Sequence, residues 1–208
     1  MNIKSIFSVI SAVREYLFST EKFGKKFQNI NNVENLKTFI EERSAYVTQT
    51  TLYGYLKTRM GLKYTLMFSD DIFLQSVNKS KWNIFVEAVS DLTLYVVSFL
   101  LKSNKINQDD LNLEEIYRNI LLKQISKGMP SELFDKSMLS FKRKLSLINL
   151  YNYFQEDPFK MSGLALYEWA PIADELKKLD KEIVLNSIKN KWNPVMTEFE
   201  KLSLNFKV

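Results

Sequence analysis

Apolar residues recur at intervals of three and four along most of this chain, a spacing that places them on one side of an α-helix. Ile3, Ile6, Phe7, Ile10, Val13 and Leu17 form the first such stripe, over residues 1–20. Residues 21–32 are polar, hold Gly24 beside Lys22, Lys25 and Lys26, and read as a loop. Asn32 then suits the cap of a helix whose apolar positions Leu36, Phe39, Ile40, Val47, Leu52, Tyr55 and Leu56 lead to a stop at Gly61. Ser69 as a cap, with Asp70 and Asp71 at the positive end of the helix dipole, predicts another start before Ile72, Phe73 and Val77.

A long helix is expected over residues 80–102, where Trp82, Phe85, Val86, Val89, Val96, Val97 and Leu100 widen into an apolar surface. Its uncharged run, residues 92–101, is shorter than the ~20 residues a membrane span needs and reads as a buried helix. Asn112 and Glu115 have capping-box spacing, and Gly128 with Pro130 closes the helix expected over 113–127. Leu133, Phe134, Met138, Phe141, Leu145, Ile148 and Tyr151 predict a helix reaching Phe154. Pro171 suits the first turn of a last long one, whose stripe of Ile172, Leu176, Leu179, Ile183, Val184, Ile188 and Trp192 ends where Asn193 and Pro194 interrupt it.

Composition agrees with this pattern. Gly 5 and Pro 4 in 208 residues leave too few turn formers for a sheet protein, so the fold class is all-α, an irregular bundle of six to eight helices in a single domain over residues 1–208. With 46% apolar residues, 15 Phe, 10 Tyr and 3 Trp, the chain can bury a core.

The chain has no histidine and no cysteine. That removes Ser-His-Asp and Cys-His nucleophiles, histidine bases, thiolate metal sites and disulfides, and no metal or cofactor is expected. Lys+Arg 29 against Asp+Glu 24 gives a net charge of +5, but Arg supplies only five of the cations, so nucleic acid is not the expected partner. The runs at Lys142-Arg143-Lys144 and Lys177-Lys178 read as solvated helix faces.

The most informative charges are Glu42, Arg59, Glu87 and Asp91. Glu87 and Asp91 stand one turn apart before the uncharged run, so a cation must accompany them if they are buried, and Arg59 or Arg43 is the expected partner. The same four residues are the candidates for a ligand site or a carboxylate acid-base pair. Glu41/Glu42, Asp70/Asp71, Asp109/Asp110 and Glu114/Glu115 are adjacent pairs whose side chains diverge by about 100° on a helix, so none faces a shared substrate alone. Ser140 with Lys142 or Lys144 offers a Ser-Lys dyad without an oxyanion motif.

The segment Val47-Thr48-Gln49-Thr50-Thr51-Leu52-Tyr53-Gly54-Tyr55-Leu56-Lys57-Thr58-Arg59 resembles the recognition-helix region of TetR-type repressors, and that resemblance implies DNA binding. Ser44-Ala45-Tyr46 stands where that family places its turn, and the helix-turn-helix geometry depends on the turn. Phe39 to Val47, Thr58 to Gly61 and Trp169 to Leu176 resemble a group of small helical bacterial proteins of uncharacterised function, some labelled esterases. The resemblance implies a helical fold and supplies no catalytic residue, and the chain lacks a Gly-x-Ser-x-Gly elbow.

These readings lead to a non-catalytic helical binding or assembly protein that engages a protein partner in the cytoplasm. Tyr53, Tyr55, Trp82 and Trp169 are the expected anchors. Residues 1–20 either pack on the body or lie on the inner membrane surface, with Ile3, Phe7, Ile10, Lys22, Lys25 and Lys26 as the contacts. The alternatives are a histidine-free enzyme or small-ligand binder built on the carboxylate and arginine residues, and a TetR-like regulator.

Overall fold

The computed structural model describes residues 27–207, with the side chains of residues 62, 65 and 66 left aside. The expected membrane contacts at Ile3, Phe7, Ile10, Lys22, Lys25 and Lys26 lie outside the described residues. Among those described there is no strand; six helices of ten residues or more and one four-residue turn form a single compact arrangement. They are α1 (Val33–Met60), the short α2 (Tyr64–Met67), α3 (Asp71–Lys102), α4 (Leu113–Ile125), α5 (Ser131–Leu147), α6 (Lys160–Trp169) and α7 (Asp174–Leu202).

α3 is the centre of the fold. It packs against α1, α4, α5, α6 and the 3-10 turn Tyr153–Gln155, and almost every residue from Ile84 to Leu100 is buried. By length and composition one window of α3 is apolar enough to cross a membrane, but 89% of that window is buried inside the fold, as in a core helix. α1 and α7 run antiparallel, tied by Arg43 to Glu198 near one end and Arg59 to Asp180 near the other. Residues 27–32 reach across this pair, and the Ile30 N–H donates to the Leu202 carbonyl.

Several helix starts follow from local chemistry. Asn32 and Asn112 accept the backbone N–H of Asn35 and Glu115, each satisfying a donor that the first turn leaves open. Gly61 ends α1 at φ 56°, and Gly128 follows α4 at φ 98°, both left-handed conformations that side chains resist.

Other boundaries differ from the sequence pattern. Asp70, not Ser69, caps α3, accepting from Ile72 and Phe73. The helix then continues through Ser80 without a break, because nothing between them removes a donor and the Ser80 hydroxyl sits against the carbonyls of Ser76 and Trp169. α5 stops at Leu147 rather than Phe154: Ile148 is extended, and the Asn149 side chain accepts the Tyr151 N–H.

α6 has no counterpart in the pattern read from the sequence. Gly163 within it serves close packing, since a Cβ there would meet Leu185 and Ile188 of α7 at 3.1 and 3.3 Å. Pro171 precedes α7 instead of lying in its first turn, and Pro194 lies inside that helix. Pro194 and Asn190 are both exposed, so the carbonyl left without a helical donor belongs to the solvent side.

Candidate functional site

Asp91 is 0% exposed and its carboxylate is fully engaged. Oδ1 accepts from Lys144 Nζ at 2.6 Å, and Oδ2 accepts from the Ser162 N–H at 2.7 Å. The Ser162 hydroxyl donates to the Phe159 carbonyl and accepts from Trp192 Nε1, whose indole stacks on Phe159 at 4.4 Å. One carboxylate therefore joins α3, α5, α6 and α7. The partner of Asp91 is a lysine from α5, not Arg59 or Arg43 as the sequence suggests. Arg43 is buried in a two-bond pair with Glu198, both bonds 2.6 Å, beside the Phe27 ring.

Lys144 Nζ also lies 3.3 Å from Ser90 Oγ, the spacing of a Ser-Lys pair. Its closest contact is the Asp91 carboxylate at 2.6 Å and not the serine. Ser140 and Lys142 are exposed. The geometry is that of a packing clamp.

Glu87, one turn before Asp91 on α3, makes no hydrogen bond or ion pair with any described residue. Burial raises its pKa, the Asp91 charge adds to the rise, and Lys144 opposes it. An acid held at a higher pKa in the folded chain binds its proton more tightly there, so its contribution falls as pH climbs from the ordinary glutamate range through the raised value. Glu87→Gln is expected to remove that fall. Thermal melts between about pH 4 and pH 8 should show the variant gaining on the wild type as pH rises, and parallel profiles would mean that Glu87 is already solvated.

An opening lies between α1 and α7. It is a groove of about 400 Å³. Thr50, Gly54 and Thr58 form its α1 floor, one turn apart, and Ile183, Val184 and Ser187 face them from α7. The floor leaves the space between the helices unfilled: a Cβ on Gly54 would find nothing within 4 Å. Two of these threonines donate to their own helix, Thr50 to the Tyr46 carbonyl and Thr58 to that of Gly54, which leaves their methyl groups to line the groove.

At one end stands an Arg59–Asp180–Tyr55 triad. Asp180 is buried and holds Arg59 through Nε and a terminal nitrogen, while the Tyr55 hydroxyl donates to Asp180 at 2.7 Å. At the other end Lys191 makes no ion pair with a described residue. Beyond Ile183, which is 68% exposed, the row continues along α7 with Leu179 at 76% and Leu176 at 40%.

The structure therefore separates the four charged candidates. Glu87 and Asp91 are together on α3, Arg59 is at the groove, and Glu42 is half-buried on α1 away from both. Of the expected anchors, only Tyr55 lines the groove. Tyr53 is in the core beside Phe68, Trp82 packs edge-on to Phe85, and Trp169 carries Lys79 over its ring. Of the groove residues on α7, Ile183 and Val184 belong to the apolar stripe read from the sequence, whereas Asp180, Ser187 and Lys191 lie outside it. α1 runs unbroken through Ser44-Ala45-Tyr46, so it holds no turn for a helix-turn-helix. Among the described residues no acidic group is arranged to hold a metal ion. No protein-family model, curated protein or solved structure matches this chain.

Proposed function

We propose that this protein is a non-catalytic binding module that receives an amphipathic helix of a protein partner in the groove between α1 and α7. The observation that carries this reading is the exposed row Leu176, Leu179 and Ile183, at positions i, i+3 and i+7, running into a groove whose floor is a glycine. Large apolar side chains exposed singly are ordinary, whereas a contiguous row beside a concavity is the arrangement that takes up a helix through its own i, i+3, i+4 and i+7 anchors. Covering one such side chain fully contributes about 1.5–3 kcal/mol, so three supply a specific contact.

The test is selection of helical peptides with randomised faces, displayed on phage, against the full chain. Gly54→Leu fills the groove at a position with free space and removes a glycine from a helix interior, a change worth about 0.5–1 kcal/mol in favour of folding. The variant is expected to melt at a higher temperature than the wild type and to lose the selected peptides. Leu179→Asp, on a surface position, should weaken them at least tenfold with little change in melting. Peptides that bind Gly54→Leu as well as wild type would place recognition elsewhere.

A further inference from the structure

We infer that the helix taken up by the groove is acidic, with two carboxylates about eleven residues apart on the face that enters it; this inference rests on the binding reading above. Two cations and one acid line the groove, and the acid, Asp180, is already committed to Arg59 and Tyr55. Arg59 has five N–H donors, of which its two contacts with Asp180 use two. The remainder are held in a fixed orientation by a buried carboxylate, an arrangement suited to a second carboxylate that approaches from outside. Lys191 supplies a charge with no partner among the described residues at the far end.

Spacing follows from helix geometry. Asp180, which marks the Arg59 end, and Lys191 are eleven residues apart on α7, or about 16 Å along the axis. Eleven residues on a partner helix cover the same distance and return to within about 20° of the same side. Acids so placed meet Arg59 and Lys191 while the apolar residues between them lie on Gly54, Ile183 and Val184. The chain's own residues 1–26 carry five cations against two acids, the wrong sign for this groove.

The same library decides the matter by its enriched sequences. Peptides lost on Gly54→Leu are expected to carry Asp or Glu at about that spacing, and changing both acids to Gln should weaken them at least tenfold. Lys191→Glu, a substitution at an exposed position, should reverse the preference at that end toward Lys or Arg. Groove-dependent peptides that are neutral or basic, or that ignore Lys191→Glu, overturn the acidic inference and leave the binding reading standing. No groove-dependent peptide at all removes the binding reading itself. A chain that binds only after residues 1–26 are deleted, or a dimer that Gly54→Leu dissociates, has a different occupant and overturns the proposal as well.

Discussion

Replacing Lys144 by methionine is expected to cost about 3–5 kcal/mol of folding stability at neutral pH, because it leaves a charge buried with no counter-ion. Methionine preserves most of the side-chain length, so the loss reports the ammonium and not a cavity. Asp91 has no exposure to solvent, and the Ser162 N–H would then be its main remaining donor. Burial already raises the Asp91 pKa, with Lys144 the chief opposing influence; removing Lys144 raises it further. The sign for pH follows. A carboxyl with a raised folded pKa costs most above that value and nothing once it is protonated in both states, so the deficit of Lys144→Met should shrink as pH falls. Urea melts at several pH values measure this, and the double variant Asp91→Asn/Lys144→Met should recover much of the loss. A single variant within about 1 kcal/mol of wild type would show that the pair behaves like a surface ion pair.

Trp192→Ala is the second large effect, with an expected loss of about 3–5 kcal/mol. At roughly 2–4 °C per kcal/mol for a chain of this size, the melting midpoint should fall by on the order of 10 °C. Trp192 is fully buried, stacks on Phe159 and donates to Ser162, so its removal opens the junction of α6 and α7 and also frees the serine that orders Asp91. Trp192→Phe separates the two contributions. It keeps a ring against Phe159 and loses the indole hydrogen bond, worth about 0.5–1.5 kcal/mol, together with the volume of the second ring. Equal losses for Ala and Phe would assign the effect to the hydrogen bond and the second ring, and a small loss for both would contradict the packing described for α6.

The clamp and the groove differ in how far they are legible in the chain. Glu87 and Asp91 stand out by their position before an uncharged run, and that run does sit at the centre of the fold. Their partner does not stand out, because Lys144 lies 53 residues away among other surface-type lysines, and only the docking of α5 selects it. The same holds for Arg59: its position in α1 is plain, whereas Asp180 reads as one more acid in a mixed-charge helix until α7 packs antiparallel to α1. A buried Asp180 at the start of an otherwise exposed turn is a signal only after burial is known.

Stripes on α7 show the limit most clearly. Leu176, Leu179, Ile183, Val184, Ile188 and Trp192 share helical spacing, and periodicity treats them alike. In the folded chain Val184, Ile188 and Trp192 are core, and Leu176, Leu179 and Ile183 face outward along the groove. Helix class, the caps at Asn32 and Asn112 and the stops at Gly61 and Gly128 are local matters, settled by donors, acceptors and backbone freedom within a few residues, and the chain states them outright. Which cation neutralises Asp91, why Gly163 is tolerated in a helix, and which half of an apolar stripe remains uncovered depend on contacts between segments far apart in the chain. Periodicity records that a face is apolar; the neighbour that covers it, or fails to, exists only once the helices have packed.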